Sequence, residues 1–230
     1  MADETRPALR AELATAIELL QLNVTEQQQE LLLQYLALLH KWNQAYNLSG
    51  LHELGEMLTL HIVDSLTLLP YTQADRIADV GTGAGLPGMV LAICQPQTEF
   101  FLIDSNSKKT RFIFQTAATL GLRNIHAVHA RAEDYAITPQ VAIVTSRAFA
   151  SLRNFIESSQ HLLSVTGSML AMKGQYPQTE IADLPAGFEL FASHPLQVPG
   201  TTVTRHLLDI RRVPDNRQAP GVSREELRDQ

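Results

Sequence analysis

The chain has 230 residues, of which 45% are apolar and 18% charged, with one cysteine and a formal net charge of −6. That length and apolar content suit one large domain, or one domain with an added helical piece. A single cysteine excludes a disulfide scaffold, no apolar run approaches the roughly 18–20 residues that cross a bilayer, and the charged opening MADETRPALR has no signal-peptide core, so a cytoplasmic protein is expected.

Residues 8–70 read as helices. One spans about 8–21, and a second opens at Thr25-x-x-Gln28, a capping-box pattern, with Leu32, Tyr35, Leu36 and Leu39 at helical spacing. A third is expected over about 53–69. From Arg76 the texture changes to short β-rich runs, RIADV, FFLID, IHAVH, VAIVTS and SMLAMKG, separated by the helical stretches LPGMVLAIC, KKTRFIFQTAATLG and SLRNFIESSQHLLS. Such alternation implies a parallel sheet covered on both faces. GFELFASHPLQV and TVTRHLLDIRRV follow with only a Pro-Gly turn between them and read as an antiparallel pair. Five βα units and a closing hairpin predict an α/β fold with a Rossmann-like, seven-stranded, mostly parallel sheet, as in class I methyltransferases. The expected organisation is a helical extension over residues 1–70, a catalytic domain over 71–213 and a polar tail over 214–230.

The most informative stretch is IADVGTGAGLPGMVLAI, residues 77–93. Gly83-Ala-Gly85-Leu-Pro-Gly88 fits the dinucleotide pattern G-x-G-x-x-G. Asp79-Val-Gly81-Thr-Gly83-Ala-Gly85 fits the D-x-G-x-G-x-G of S-adenosylmethionine (SAM) enzymes. Both describe a strand that turns sharply and presents backbone N–H groups at a helix N-terminus. Asp79 discriminates: beside a pyrophosphate it would be repelled, whereas it can take up the ammonium of a bound amino acid directly or through water. Asp104 ends the next strand about 20 residues on, where either kind of enzyme uses an acid on ribose hydroxyls. In HARAEDY, Ala132 and Glu133 stand where SAM enzymes enclose the adenine ring. Together these residues favour SAM as the cofactor.

Five motifs in series, WNQAYNLSG, HIVDSL, ADVGTGAGLPG, VTSRAFASL and MLAMKGQ, resemble the bacterial 16S rRNA guanine-N7 methyltransferases, the glucose-inhibited division protein B family. The similarity runs from about Leu31 to Val213. It implies a class I fold with an N-terminal helical addition, SAM as methyl donor, and 16S rRNA or the small ribosomal subunit as partner. Carried over by position, the resemblance puts Gly81 and Leu86 on SAM, Ala132 and Glu133 beside the adenosine, and Arg147 at the cofactor–substrate junction. A monomer is expected. Other acceptors for a SAM enzyme, a protein or a small molecule, and a ribosome-binding factor without transfer activity, remain the alternatives.

The residues narrow the chemistry. C5 methylation of a pyrimidine commonly needs a cysteine nucleophile, and the only cysteine, Cys94, falls inside the helix after the glycine loop. Enzymes of exocyclic adenine amines usually carry N/D-P-P-Y/F after the fourth strand, where this chain has Thr145-Ser146-Arg147-Ala148-Phe149. Guanine N7 has a free lone pair and no proton to remove, so positioning and electrostatics suffice and no catalytic acid or base is required. Arg147 can donate to guanine O6, to a phosphate or to the cofactor, and Phe149 can stack on an extruded base. The charge is unevenly spread: residues 1–75 hold 3 basic and 10 acidic groups, 76–175 hold 9 and 6, and 176–230 hold 6 and 8. The positive segment surrounds the glycine loop. Lys108, Lys109 and Arg111 open a helix, where the macrodipole disfavours cations, and with Lys173 they are candidates for an RNA rim. His126 and His129, three apart on a strand, point to opposite faces, so no metal site is expected.

Overall fold

The computed structural model describes residues 5–147 and 149–213. The expected polar tail from 214 lies outside them. The first two helices, α1 (Thr5–Leu19) and α2 (Glu26–Tyr46), pack together, with Arg6 and Arg10 of α1 paired to Glu30 of α2. The capping box is present at both ends of its exchange: the Gln28 N–H donates to Thr25 Oγ1, and the Thr25 N–H donates to Gln28 Oε1. Leu32, Leu33, Tyr35, Leu36 and Leu39 are buried along one face of α2, and the helix stops where Asn47 takes a left-handed conformation (φ 48°).

The third helix departs from the expected continuous run. It is α3 (Leu54–Met57), then a π-helical segment over Leu58–Val63, then α4 (Asp64–Leu66) and a 3-10 turn over Leu69–Tyr71. The helical periodicity of the sequence holds throughout, but the wider π turn answers to tertiary partners of Leu60, His61 and Asp64 described below.

Seven strands follow: β1 (Arg76–Val80), β2 (Glu99–Asp104), β3 (Ile125–His129), β4 (Val141–Ser146), β5 (Leu163–Lys173), β6 (Phe188–Gln197) and β7 (Thr204–Arg212). Between them lie α5 (Gly88–Cys94), α6 (Ser107–Leu120), α7 (Leu152–Ser159) and the short α8 (Gln178–Ala182). The sheet order is β3-β2-β1-β4-β5-β7-β6, with β1 to β5 mutually parallel and β7 antiparallel to both its neighbours. This is the expected class I methyltransferase architecture.

Strand alternation sorts the core onto two faces. Ile77, Phe100, Leu102, Ile143, Leu170 and Leu207 pack in one cluster with α2, α5 and α6. Ala78, Val80, Ile103, Val144, Met169 and Leu208 face the other way, toward Leu152, Phe155 and Ile156 of α7. The first cluster also contains Leu9, Leu13, Ile17, Leu36 and Leu39, so the helical extension shares one core with the sheet. Trp42 packs against Phe112 of α6 with ring centroids 5.5 Å apart, the packing role its position at the end of α2 allows.

Candidate active site

The strand order reverses between β1 and β4, and open α/β sheets bind ligands at the carboxyl ends of strands beside such a point. The glycine loop lies there. Gly81, Gly83 and Gly85 all have positive φ, of 66°, 63° and 95°, which side chains with a Cβ rarely adopt. The N–H groups of Gly81 and Thr82 both donate to the Ile103 carbonyl at 2.9 and 3.2 Å. The Gly83 N–H donates to Asp104 Oδ2 at 2.9 Å, and the Asn106 N–H donates to Asp104 Oδ1 at 2.8 Å. From the helical extension, the fully buried Tyr35 donates its hydroxyl to the Ala84 carbonyl at 2.9 Å.

Asp79 does not reach the ligand side of this loop. Period two puts it on the same face as Ile77, beneath α5, and it has no exposed surface. Its Oδ2 accepts from Thr82 Oγ1 at 2.6 Å and from the Gly88 N–H at 2.8 Å. Asp79 therefore ties the loop to the start of α5. Its Oδ1 has no partner among the described residues, and burial pushes the carboxyl up to about 7. Leu86 is likewise buried in the core, and neither it nor Gly83 nor Gly85 lines the cavity above the loop. These three shape the turn from behind.

That cavity has a volume of about 290 Å³. Val80, Gly81, Ile103 and Asp104 form its floor, Ala132 and Glu133 of the 3-10 turn Ala132–Asp134 form one side, and Phe149 forms another. The Phe149 ring stands over the loop: a Cβ added to Gly81 would lie 3.4 Å from its Cε2. Phe149 also contacts Phe155 at 5.4 Å between centroids. The residue expected to stack on an RNA base is thus a wall of the first cavity.

A second cavity of about 300 Å³ is walled by Arg147, two residues before Phe149 of the first, and Arg147 belongs to it rather than to the first. Arg147 Nη1 donates to the Leu60 carbonyl at 3.0 Å and to Asp64 Oδ2 at 3.2 Å, while its Nη2 lies 3.4 Å from His61 Nδ1. Arg205 Nε donates to the other oxygen, Asp64 Oδ1, at 3.1 Å. Asp64 is 1% exposed and its two guanidinium partners are 21% and 25% exposed. Burial raises the Asp64 carboxyl, and the two guanidiniums oppose that shift. Burial and the neighbouring Arg147 push the His61 imidazole down to about 4. His61 is consequently neutral at physiological pH.

A family model described as rRNA small subunit methyltransferase G matches residues 28–208. The ribosomal RNA small subunit methyltransferase G of Marinobacter nauticus is 44% identical over 211 residues, covering 92% of this chain and 99% of that protein. The chain belongs to the rRNA small subunit methyltransferase G family. The protein of the same name from Marinomonas sp. is 48% identical over 79% of this chain and 87% of its own length. Among solved structures, M. jannaschii TYW2 in complex with AdoMet superposes with a TM-score of 0.53 at 12% identity, covering 66% of this chain and 76% of that one. That likeness concerns the fold alone.

Within this family member the expected RNA-rim cations differ in their surroundings. Lys108 and Arg111 are exposed, and the Lys108 N–H is capped by the Asn106 side chain. Lys109 is half-buried, with Nζ 3.9 Å from where a Cβ on Gly83 would lie. Lys173 is not a free rim cation. Its Nζ pairs with Glu180 Oε2 at 2.8 Å and donates to the Phe149 carbonyl at 3.3 Å, and its side chain is 15% exposed. Glu180 also accepts the Leu152 N–H at 2.7 Å, so α8 fastens the segment that carries Phe149. His126 pairs with Glu99 and His129 with the Ser105 carbonyl, and no cluster able to hold a metal occurs among the described residues.

Sequence reasoning missed Tyr35 as a support of the glycine loop, and His61, Asp64 and Arg205 as walls of the second cavity. His61 and Asp64 both lie in the HIVDSL motif, whose polar residues at i and i+3 within an apolar run are the available signal.

Proposed function

We propose that the chain transfers a methyl group from SAM to N7 of one guanine in 16S rRNA, acting as a monomer in the cytoplasm on the rRNA or the small ribosomal subunit. One observation carries the reading: Phe149 walls a loop-floored cavity suited to a nucleoside, and Arg147, two residues before it, walls a second cavity with a cationic edge.

The residues of the first cavity fit the cofactor. Gly81 offers backbone with no side chain in the way, and each Asp104 oxygen keeps a second lone pair for a ribose hydroxyl beyond its bond to the loop. Ala132 and Glu133 would flank the adenine, and Phe149 would cover the cofactor from the open side. When bound, SAM supplies an electrophilic methyl carbon: the N7 lone pair forms the new N–C bond as the S–C bond breaks, and sulfur keeps that electron pair. No proton leaves the guanine, so the chain need only hold the two partners in line and keep N7 free of donors. Arg147 meets the second condition because Asp64 and the Leu60 carbonyl already hold its Nη1. Lys108, Lys109 and Arg111 would contact RNA phosphates around the opening.

The test uses tritiated-methyl SAM, the purified protein, and small subunits or 16S rRNA from cells lacking the modification. Label in RNA, with borohydride–aniline cleavage at a single position, is the expected result. Measured SAM binding with no label in RNA would assign the enzyme a different acceptor.

A further inference from the structure

The second cavity combines features of a site for one flat, polar-edged ring. Leu51, Leu60 and Met172 give it apolar walls, while His61, Arg147 and Arg205 give it a polar edge, the mixture by which small-molecule sites fix orientation. Asp64 locks both guanidiniums in place. His61 is 6% exposed, its Nδ1 lies 3.1 Å from the Leu60 carbonyl and 3.4 Å from Arg147 Nη2, donating to the first or accepting from the second according to its tautomer, and its Nε2 has no partner among the described residues. A buried ring nitrogen without a partner is costly. It also sits on the π-helical segment Leu58–Val63, and π turns recur at functional sites because they re-aim side chains.

We propose that the cavity bounded by Leu51, Leu60, His61, Arg147, Met172 and Arg205 receives the acceptor guanine, extruded from the RNA, with His61 Nε2 hydrogen-bonded to the Watson–Crick edge of the base. This rests on the guanine-N7 reading above. The base enters with that edge toward His61 and Arg147, which leaves the N7 edge for the cofactor cavity. The neutral imidazole is suited to this, since the guanine edge presents both an acceptor, O6, and donors, N1–H and the N2 amine. A nucleobase out of the stack is commonly read in this way, through its Watson–Crick edge between apolar side chains.

Three variants test the assignment, each assayed for kcat, for KM with unmodified small subunits, and for SAM affinity by calorimetry. His61→Asn keeps a polar atom at the Nδ1 position and removes Nε2, and it lowers kcat about tenfold, the loss of one buried hydrogen bond. His61→Gln restores a polar atom at the Nε2 position and recovers most of the rate. Leu51→Trp fills the cavity from a position that takes no part in the ion pairs, and it abolishes transfer while SAM still binds. KM for the subunit stays near wild type in the His61 variants, because phosphate contacts dominate RNA affinity. An active Leu51→Trp enzyme overturns the assignment, and so does a pattern in which His61→Asn works and His61→Gln fails, which makes the imidazole a structural clip through Nδ1. If the His61 variants do not fold, Leu51→Trp decides alone. A wild-type protein that binds SAM yet labels no RNA removes the functional reading instead.

Discussion

The two cavities are built in opposite ways. The first is made largely of strand ends and the loops that follow them: Val80 and Gly81, Ile103 and Asp104, and Ala132 each follow or close a strand, and Asp104, Arg131 and Glu133 bring charge. The second is made mostly of long side chains from five separate segments, around residues 51, 60–64, 147, 172–174 and 205. A backbone-built wall is inseparable from the fold, so damage to it removes stability and ligand binding together. A side-chain wall can be altered with the fold intact, and there transfer should part from cofactor binding. On the proposed reading the cofactor falls on the rigid part and the acceptor on the adjustable part.

The largest expected effect comes from the backbone-built side. A Cβ on Gly88 would stand 2.1 Å from Leu102 Cδ2 and 2.8 Å from Asp79 Oδ2, inside a packed core. Gly88→Ala should destabilise the protein by about 3 kcal/mol or more, the upper range of overpacking, and weaken SAM binding with it. Urea unfolding beside calorimetry would show both losses. A variant of wild-type stability with lost SAM binding would break the comparison, because it would separate loop from fold.

Asp64→Ala comes next, on the side-chain wall. It leaves Arg147 and Arg205 facing each other without their shared carboxylate. Removing one partner of a buried pair costs about 3–5 kcal/mol, but both guanidiniums are partly exposed, so solvent reduces this to about 2 kcal/mol. Transfer should fall by orders of magnitude while SAM binds near its wild-type affinity. Equal loss of both would mean that the two cavities are one mechanical unit.

Asp79 tests the rigid side through pH. Its folded carboxyl titrates near 7 against an ordinary value of 3.8. Between those values the unfolded chain ionises and the folded chain does not, so this group lowers stability as pH rises from about 4 to about 7 and adds no slope above that. His61 works against it: held down to about 4, it lowers stability as pH falls below the ordinary imidazole range. Asp79→Asn removes the first slope alone. Its unfolding free energy relative to wild type should therefore shift in the variant's favour across pH 4–7, by up to a few kcal/mol. A difference that stays constant with pH would show that Asp79 is ionised beneath the loop.

The same contrast explains what the sequence made legible. RIADV, IHAVH and VAIVTS coincide with β1, β3 and β4, because short apolar runs bounded by turn residues are local signals. Five of the expected site residues, Gly81, Asp104, Ala132, Glu133 and Phe149, meet in one cavity because the fold sets strand ends side by side. Asp79 shows the limit of spacing arguments: its distance from Gly81 along the chain points to a ligand, yet strand alternation turns it under α5. β5 begins at Leu163 rather than Ser168, since Gly167 lies inside the strand where an added Cβ would meet the Ala142 carbonyl at 2.7 Å, next to a register shift between Val141 and Ile143. An isolated glycine in a strand marks such a close approach. The Arg147–Asp64–Arg205 cluster was not legible, because it joins residues 83 and 141 positions apart and no local pattern announces a long-range ion pair. Lys173 was misjudged for the same reason: Glu180, its partner, belongs to a helix too short for periodicity to reveal.

The smallest expected effect lies at the rim, where neither cavity's construction applies. Lys108 is exposed, and its side chain makes no hydrogen bond or ion pair among the described residues, so Lys108→Ala should leave stability and SAM affinity unchanged. If its ammonium meets an RNA phosphate, affinity for the unmodified subunit falls a few-fold, and the slope of log affinity against log salt becomes shallower by about one. Lys109 provides the internal contrast, because its half-buried side chain brings Nζ to the glycine loop at Gly83, so Lys109→Ala should disturb SAM binding as well as the salt slope. Binding measured at three or more salt concentrations distinguishes the two. An unchanged slope for Lys108→Ala alongside a changed one for Lys109→Ala would draw the RNA boundary inward to the loop itself, and would place the cation that matters on the backbone-built side.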